Sequence, residues 1–316
     1  MTGATCLLPV RDYDLAATLD SGQAFRWKYH QGHWEGVIGQ RWVRLRQEMD
    51  GVAAQTIAPV PDWNWLREYL QTEVDLGVIL ATFPDDEPMR ASVRACHGLR
   101  LLRQDPWECL ASFILSSTKQ IVQIRQIVEL LCVRFGEPVS SQPPIEALSA
   151  QNGPPPDARR WFTFPAAARL AACSETELRA CKMGFRAPHL LGAARAVAAG
   201  ELDLPTLPRL DLDQASQELT RLRGVGEKIA HCVLLFAYGF PTAFPVDVWI
   251  ERALHELYFP RLRPTPKRLR QFVRTHFGPH SGYAQQYLFQ AIRAKNDSRS
   301  QACAGSIPDC ARSSSR

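Results

Sequence analysis

Two periods of apolar residues divide the chain. Between about residues 20 and 60, aromatic and β-branched positions alternate with polar ones, the period of strands with one covered face. Residues 25–29, 33–37 and 41–45 read as antiparallel strands, with Gln31-Gly32 and Gly39-Gln40 as turns between them. A short helix is expected at 63–70, and from about residue 88 the period lengthens to that of helices. Asp105-Pro106 pairs a capping residue with the one residue type suited to a first helical position. Apolar residues then recur at Leu110, Phe113 and Ile114, and at Ile121, Ile124, Ile127, Leu130 and Leu131 up to Gly136. Residues 137–157, rich in Pro, Ser, Gln and Gly, read as a loop, and Ser174-Glu175-Thr176-Glu177 has the residues of a capping box. Further helices are expected at 213–222, 227–237, 248–258 and 283–293. The pattern predicts an α+β protein with a small antiparallel sheet domain at 1–95 and a mostly helical body at 96–293. The polar, Ser-rich tail at 294–316 is expected to be disordered.

With 316 residues, 46% hydrophobic and 22% charged, the chain has the composition of a globular protein large enough for two domains. A net charge of +5 suits a polyanionic partner without requiring one. The N-terminus has neither the charged start nor the apolar stretch of a secretory signal, and no apolar run approaches the ~18 residues that span a bilayer. An intracellular protein with no membrane partner is expected. Nine cysteines are scattered without a CxxC pair, so neither a disulfide framework nor a cysteine-held metal or iron–sulfur cluster is expected.

Chemistry enters at Leu219-Thr220-Arg221-Leu222-Arg223-Gly224-Val225-Gly226-Glu227-Lys228, where two predicted helices meet. Gly224 and Gly226 let the backbone turn tightly about Val225 and direct N–H groups outward at a helix start. Such a turn binds one DNA phosphate without reading sequence. By itself it points to nucleic-acid binding or to an incidental tight turn. Lys228 sits just inside the second helix, where a phosphate held by the hairpin would bring a sugar close to its amine. Asp247, ending Phe244-Pro245-Val246-Asp247, stands at another helix start. Taken singly, Lys228 also reads as a solvated helix lysine and Asp247 as an ordinary N-cap.

Together, Gly224-Val225-Gly226-Glu227-Lys228-Ile229-Ala230-His231-Cys232 and Pro245-Val246-Asp247-Val248 resemble the helix–hairpin–helix glycosylase superfamily, and within it the 8-oxoguanine DNA glycosylases. The resemblance runs from about Leu7 to Arg293. It implies a sheet domain followed by a helix–hairpin–helix body, acting as a monomer without cofactor or metal. The implied activity is excision of 8-oxoguanine from double-stranded DNA in base excision repair, with lyase action on the abasic site. The implied setting is cytoplasm and nucleoid in a bacterium, or the nucleus in a eukaryote. Lys228 matches the family nucleophile, which attacks C1′ and forms a Schiff base, and Asp247 the aspartate that stabilises the cationic sugar or orients the amine. Attack needs a neutral amine, which an ordinary lysine offers in only about one molecule in 10³ at pH 7, so burial is expected to favour that form.

The damaged base carries a hydrogen at N7 where guanine has a lone pair. A backbone carbonyl aimed there accepts from one and repels the other. Ser21-Gly22-Gln23-Ala24-Phe25-Arg26-Trp27 resembles the family loop that supplies this carbonyl, from Gly22. Cys232 and Phe289 match the residues that sandwich the base. Gln285, one helical turn before Phe289 and on the same face, matches the amide that reads its Watson–Crick edge. Phe185 and Arg186 match an aromatic wedge and the arginine beside the orphaned cytosine. The chain departs from the better-known eukaryotic members at their asparagine run, here Thr118-Lys119-Gln120, and at an arginine that falls at Gln123. A weaker preference for cytosine opposite the lesion follows. Trp249 replaces a histidine and Ile292 its acidic partner, exchanging a polar pair for an apolar one. Phosphate binding nearby then rests more on the amides around Gly224, Val225 and Gly226. Arg261, Arg263, Lys267, Arg268, Arg270 and Arg274 read equally as a solvated helix face and as phosphate contacts.

Overall fold

The computed structural model describes residues 3–117, 120–139 and 161–304, with side chains as far as residue 295. The chain begins with a five-stranded antiparallel sheet: β1 (Ala4–Pro9), β2 (Lys28–His30), β3 (His33–Ile38), β4 (Arg41–Glu48) and β5 (Gly51–Thr56), in the order β1-β5-β4-β3-β2. The expected turn at Gln31-Gly32 sets His30 opposite His33. The alternation predicts β3 and β4 but misses β1 and β5, whose sequences ATCLLP and GVAAQT carry little strand signal. These two are defined by pairing, with Ala4 opposite Thr56 and Leu8 opposite Val52.

The run at 25–29 is a strand only from Lys28. In a strand, Phe25 and Trp27 would share one face. Instead Phe25 enters the helical core, edge-on to Phe113 at 5.5 Å, while Trp27 enters the sheet core and donates its Nε1–H to Tyr69 Oη at 3.0 Å. The segment directly after Gly22 therefore ties the two cores together.

Between the strands and beyond them come α1 (Leu15–Asp20), α2 (Asn64–Leu70), α3 (Leu76–Leu80) and α4 (Glu87–Ala95). Leu66 and Leu70 of α2 join the sheet core, whereas Leu76, Ile79 and Met89 of α3 and α4 join the larger helical core. Packing thus crosses the boundary expected near residue 95, and Leu102 crosses it in the other direction.

The body holds α5 (Pro106–Leu115), α6 (Ile121–Phe135), α7 (Ala167–Ala171), α8 (Glu175–Leu178), α9 (Ala187–Ala198), α10 (Leu212–Thr220), α11 (Glu227–Val233), α12 (Val248–Tyr258), α13 (Pro266–His276) and α14 (Ser281–Ala304). The expected caps are present: Asp105 Oδ1 accepts from Glu108 N–H at 2.8 Å, and Ser174 and Glu177 bond reciprocally. α5 is the central strut, buried on every side from Cys109 to Leu115, as an apolar helix must be. α13 buries Leu269 and Val273 and leaves Arg268, Arg270 and Arg274 exposed. α14 continues to Ala304, past the start of the expected disordered tail at 294. Its first turns are buried, and no Gly or Pro falls between Gly282 and Gly305, so the helix propagates at little cost. The expected loop beyond residue 139, the last residues of the tail and Thr118 lie outside the described residues. Among the described residues no helix is long and apolar enough to cross a membrane.

Candidate active site

The hairpin between α10 and α11 opens the site. Gly224 takes φ +89°, and a Cβ there would lie 2.4 Å from the His189 ring of α9, so both the conformation and the space require glycine. Val225 turns into the core and donates its N–H to Leu222 O at 3.0 Å, leaving Gly224 and Gly226 exposed on either side. Gly226 is the cap of α11, which puts Lys228, half-buried, in the first turn.

The Lys228 amine is fixed from α5. Nζ donates to Ser116 Oγ at 3.0 Å and lies 5.3 Å from the centroid of the Phe113 ring. One turn further along α11, His231 Nδ1 accepts from Phe244 N–H at 3.2 Å, which stitches to this helix the loop ending at Asp247. Asp247 does cap α12: its Oδ1 accepts from Trp249 N–H at 3.0 Å and from Ile250 N–H at 2.8 Å. Oδ2 has no partner among the described residues, so the cap orients the carboxylate and leaves one oxygen for other work. Cys232 responds to both charges. Burial pushes its thiol up to about 11; Lys228 opposes that shift and Asp247 reinforces it. The thiol is neutral at pH 7, and Lys228, Asp247 and Cys232 share one electrostatic neighbourhood.

Gly22 and Phe289 meet around Ile121. A Cβ on Gly22 would lie 2.7 Å from Ile121 Cδ1 and 3.7 Å from Phe289 Cε1, and the residue takes φ +79°. Gln285, one turn before Phe289, is 4% exposed, and its Oε1 has no hydrogen-bond donor among the described residues. A buried polar atom in that state costs roughly 1–3 kcal/mol, which a ligand donating to it would recover.

The loop around Gly22 is built by residues that sequence patterns do not reveal. Gln23 donates Nε2 to Thr18 O at 2.9 Å and to Arg100 O at 2.8 Å, and its Oε1 accepts from Leu102 N–H at 2.8 Å. Gln104 donates to Gln23 O at 2.6 Å, and Gln286 of α14 donates to Ser21 O at 3.1 Å. Asp20 adds an ionic tie, Oδ1 to Arg125 Nη2 of α6 at 2.5 Å and Oδ2 to Arg293 Nη2 of α14 at 3.4 Å. The three elements joined there carry Gly22, Ile121 and Phe289. Because these ions are partly exposed, Asp20→Ala is expected to cost only about 1 kcal/mol of stability, while misplacement of the loop slows base release by about tenfold or more. Thermal unfolding and single-turnover release on the same preparations check this. Loss of stability with an unaltered rate would reduce Asp20 to a stability residue.

Phe185 is 56% exposed, presented by a sharp turn in which Lys182 and Gly184 take φ +64° and +61°. Its ring is edge-on to His189 at 6.5 Å, so His189 lies against both Phe185 and the hairpin. Arg186 is not exposed beside it. At 2% exposure it packs inward, its guanidinium 4.3 Å from the Phe185 ring centroid and its Nε donating to Ser117 Oγ at 3.1 Å. Gln123 is occupied in its own helix, where Oε1 accepts from Gln120 N–H at 3.3 Å and closes a capping box. Trp249 is 44% exposed in the first turn of α12 beside Asp247, and Ile292 is half-buried. Among the described residues no group of His, Cys, Asp and Glu is arranged to hold a metal ion.

Residues 6–110 match the family described as 8-oxoguanine DNA glycosylase, N-terminal domain, and residues 111–279 match the HhH-GPD superfamily base excision DNA repair protein family. The chain is 31% identical over 317 residues to a protein named "Probable N-glycosylase/DNA lyase" from Methanothermobacter thermautotrophicus, covering 90% of this chain and 95% of that one. It is 30% identical over 294 residues to N-glycosylase/DNA lyase OGG1 of Arabidopsis thaliana, covering 88% and 76%. Among solved structures it is similar to the Clostridium acetobutylicum 8-oxoguanine glycosylase/lyase in complex with double-stranded DNA containing cytosine opposite 8-oxoG. The TM-score is 0.80 at 29% identity, over 92% of this chain and 98% of that one. The chain belongs to the 8-oxoguanine DNA glycosylase family within the helix–hairpin–helix superfamily of base excision repair proteins.

Proposed function

We propose that the protein is a bifunctional DNA glycosylase and abasic-site lyase that removes 8-oxoguanine from duplex DNA inside the cell, through a Schiff base on Lys228. The observation that carries this reading is an amine fixed at 3.0 Å from Ser116 in the first turn after a glycine hairpin, in the same neighbourhood as Asp247 and Cys232. The neutral amine attacks C1′ and the C1′–N9 bond breaks, its electron pair leaving with the base, which takes up a proton. Opening of the sugar ring at C1′–O4′ converts the adduct to an imine. Loss of a C2′ proton then expels the 3′ phosphate and cleaves the strand. Asp247, held by two amides, stabilises positive charge on the sugar as the base departs.

Recognition rests on the second group. The Gly22 carbonyl accepts from the N7–H of the damaged base, Phe289 and the neutral Cys232 thiol form the walls, and the unpartnered Gln285 amide oxygen takes a donor from the Watson–Crick edge. Phe185 enters the duplex with Arg186 bracing it from behind, and the exposed Trp249 lies against the strand close to the lesion. The amides around Gly224, Val225 and Gly226 take a phosphate. Gln123, where the better-known eukaryotic members have an arginine, offers the orphaned base no bidentate contact.

The test uses duplexes carrying one 8-oxoguanine opposite each of the four bases, with borohydride added to trap the imine. A covalent adduct and base release are expected opposite cytosine, and neither with undamaged guanine. Base release without an adduct would mean that water is the nucleophile. A bidentate contact discriminates the right base from the wrong one by about 1–3 kcal/mol. Without one, release rates across the four opposite bases are expected to stay within about tenfold, and a far steeper preference for cytosine would show that another residue reads the orphaned base.

A further inference from the structure

We propose that Ser116 is the positioning residue for the nucleophile: its own proton is committed to a backbone carbonyl, so its oxygen can only accept from the Lys228 amine and leaves the amine's lone pair free to attack. This inference rests on the reading of Lys228 given above and extends it to the residue that aims the amine.

Ser116 stands at the C-terminal end of α5, where helix carbonyls lack intrahelical partners. Its Oγ–H donates to Phe113 O at 2.7 Å, and its backbone N–H donates to the same carbonyl at 3.1 Å. A serine hydroxyl has one hydrogen and two lone pairs. With the hydrogen used locally, what remains toward Lys228 is acceptor only, and Nζ donates to it at 3.0 Å. A freely rotating hydroxyl could donate into the lone pair of the neutral amine and blunt it. This one cannot do so while its bond to Phe113 O is kept.

The second contact of the amine is equally stationary. Phe113 stacks on Phe236 at 5.6 Å and meets Phe25 edge-on at 5.5 Å, all three within the buried core, and Nζ lies 5.3 Å from its centroid. One contact comes from the buried helix α5 and the other from its C-terminal cap. A flexible lysine chain is thereby held against two fixed points, and the lone pair of the neutral amine is directed away from α5. The next residue, Ser117, accepts from Nε of Arg186, the arginine stacked on the wedge phenylalanine. The end of α5 therefore touches the nucleophile with one serine and the brace of the wedge with the other.

The experiment compares the full-length wild type with Ser116→Ala and Ser116→Thr. The chemical step is borohydride trapping on a duplex with a preformed abasic site under single-turnover conditions. Affinity is measured on a duplex with a tetrahydrofuran analogue that cannot form an imine. Ser116→Ala is expected to slow trapping by about 10–100-fold with Kd within about twofold of wild type, and Ser116→Thr, which keeps the hydroxyl, to restore the rate to within about threefold. Trapping by the alanine variant at the wild-type rate would overturn the proposal. So would a loss of rate matched by an equal loss of affinity or not reversed by threonine. Absence of any adduct with the wild type on abasic DNA would overturn the Lys228 reading itself, which separates the two failures.

Discussion

Lys228→Gln abolishes the borohydride-trapped adduct on 8-oxoguanine DNA and slows base release by about 10³-fold or more. Affinity for an uncleavable abasic duplex stays within about threefold of wild type. Glutamine keeps most of the aliphatic stem of this half-buried side chain, so the packing of α11 is retained. Its amide nitrogen is delocalised into the carbonyl and offers no lone pair to C1′. Binding is expected to be conserved because the proposed phosphate contacts come from backbone groups around Gly224 and Gly226, and Phe185, the proposed wedge, belongs to a different element. Single-turnover release, trapping and direct binding are the three measurements. If an adduct persists, another amine carries the chemistry and Lys228 is a contact residue. If release persists without an adduct, Asp247 is activating water and the lyase step does not belong to this protein.

How far such expectations could be drawn before the fold was known depends on how local each feature is. The hairpin, the cap at Asp247 and the spacing of Gln285 and Phe289 lie within short stretches of chain, and the structure has each in its expected element. The helices with long apolar periods, α5 and α6 above all, were equally legible. β1 and β5 were not, because pairing to neighbours rather than their own residues defines them. The run at 25–29 misled in the other direction: Phe25 and Trp27 are apolar because they enter two different cores, not because they share a strand face. Ser116 and Lys228 are 112 positions apart, and Asp20 and Arg293 are separated by 273, so no spacing could signal either contact. Arg186 shows the same limit, since a basic residue beside an exposed aromatic reads as a surface group until its burial against Ser117 is seen.

Gly22→Ala separates reading the base from breaking the strand. The added methyl would lie 2.7 Å from Ile121 Cδ1, the end of a flexible side chain, and 3.7 Å from Phe289 Cε1. Holding alanine at φ +79° costs about 1–2 kcal/mol. The protein therefore folds with a lowered Tm, and the strain is relieved in one of two ways. Either the loop rotates toward negative φ and swings the Gly22 carbonyl away from the place proposed for the base N7–H, or Ile121 and Phe289 move and distort the proposed stacking wall. The bonds of Gln23 and Gln286 on either side of Gly22 resist the first, so part of the distortion is forced into the pocket. Displacements of this size at a reacting centre cost about 10²-fold in rate, and release of 8-oxoguanine is expected to slow by that amount. An abasic site presents no base to read, and Lys228, Ser116 and Asp247 are held by other elements. Trapping on preformed abasic DNA should therefore stay within about threefold of wild type. Equal losses on the two substrates would mean that Gly22 supports the fold of the whole site rather than recognition. No loss on either would remove the Gly22 carbonyl from the reading of the lesion.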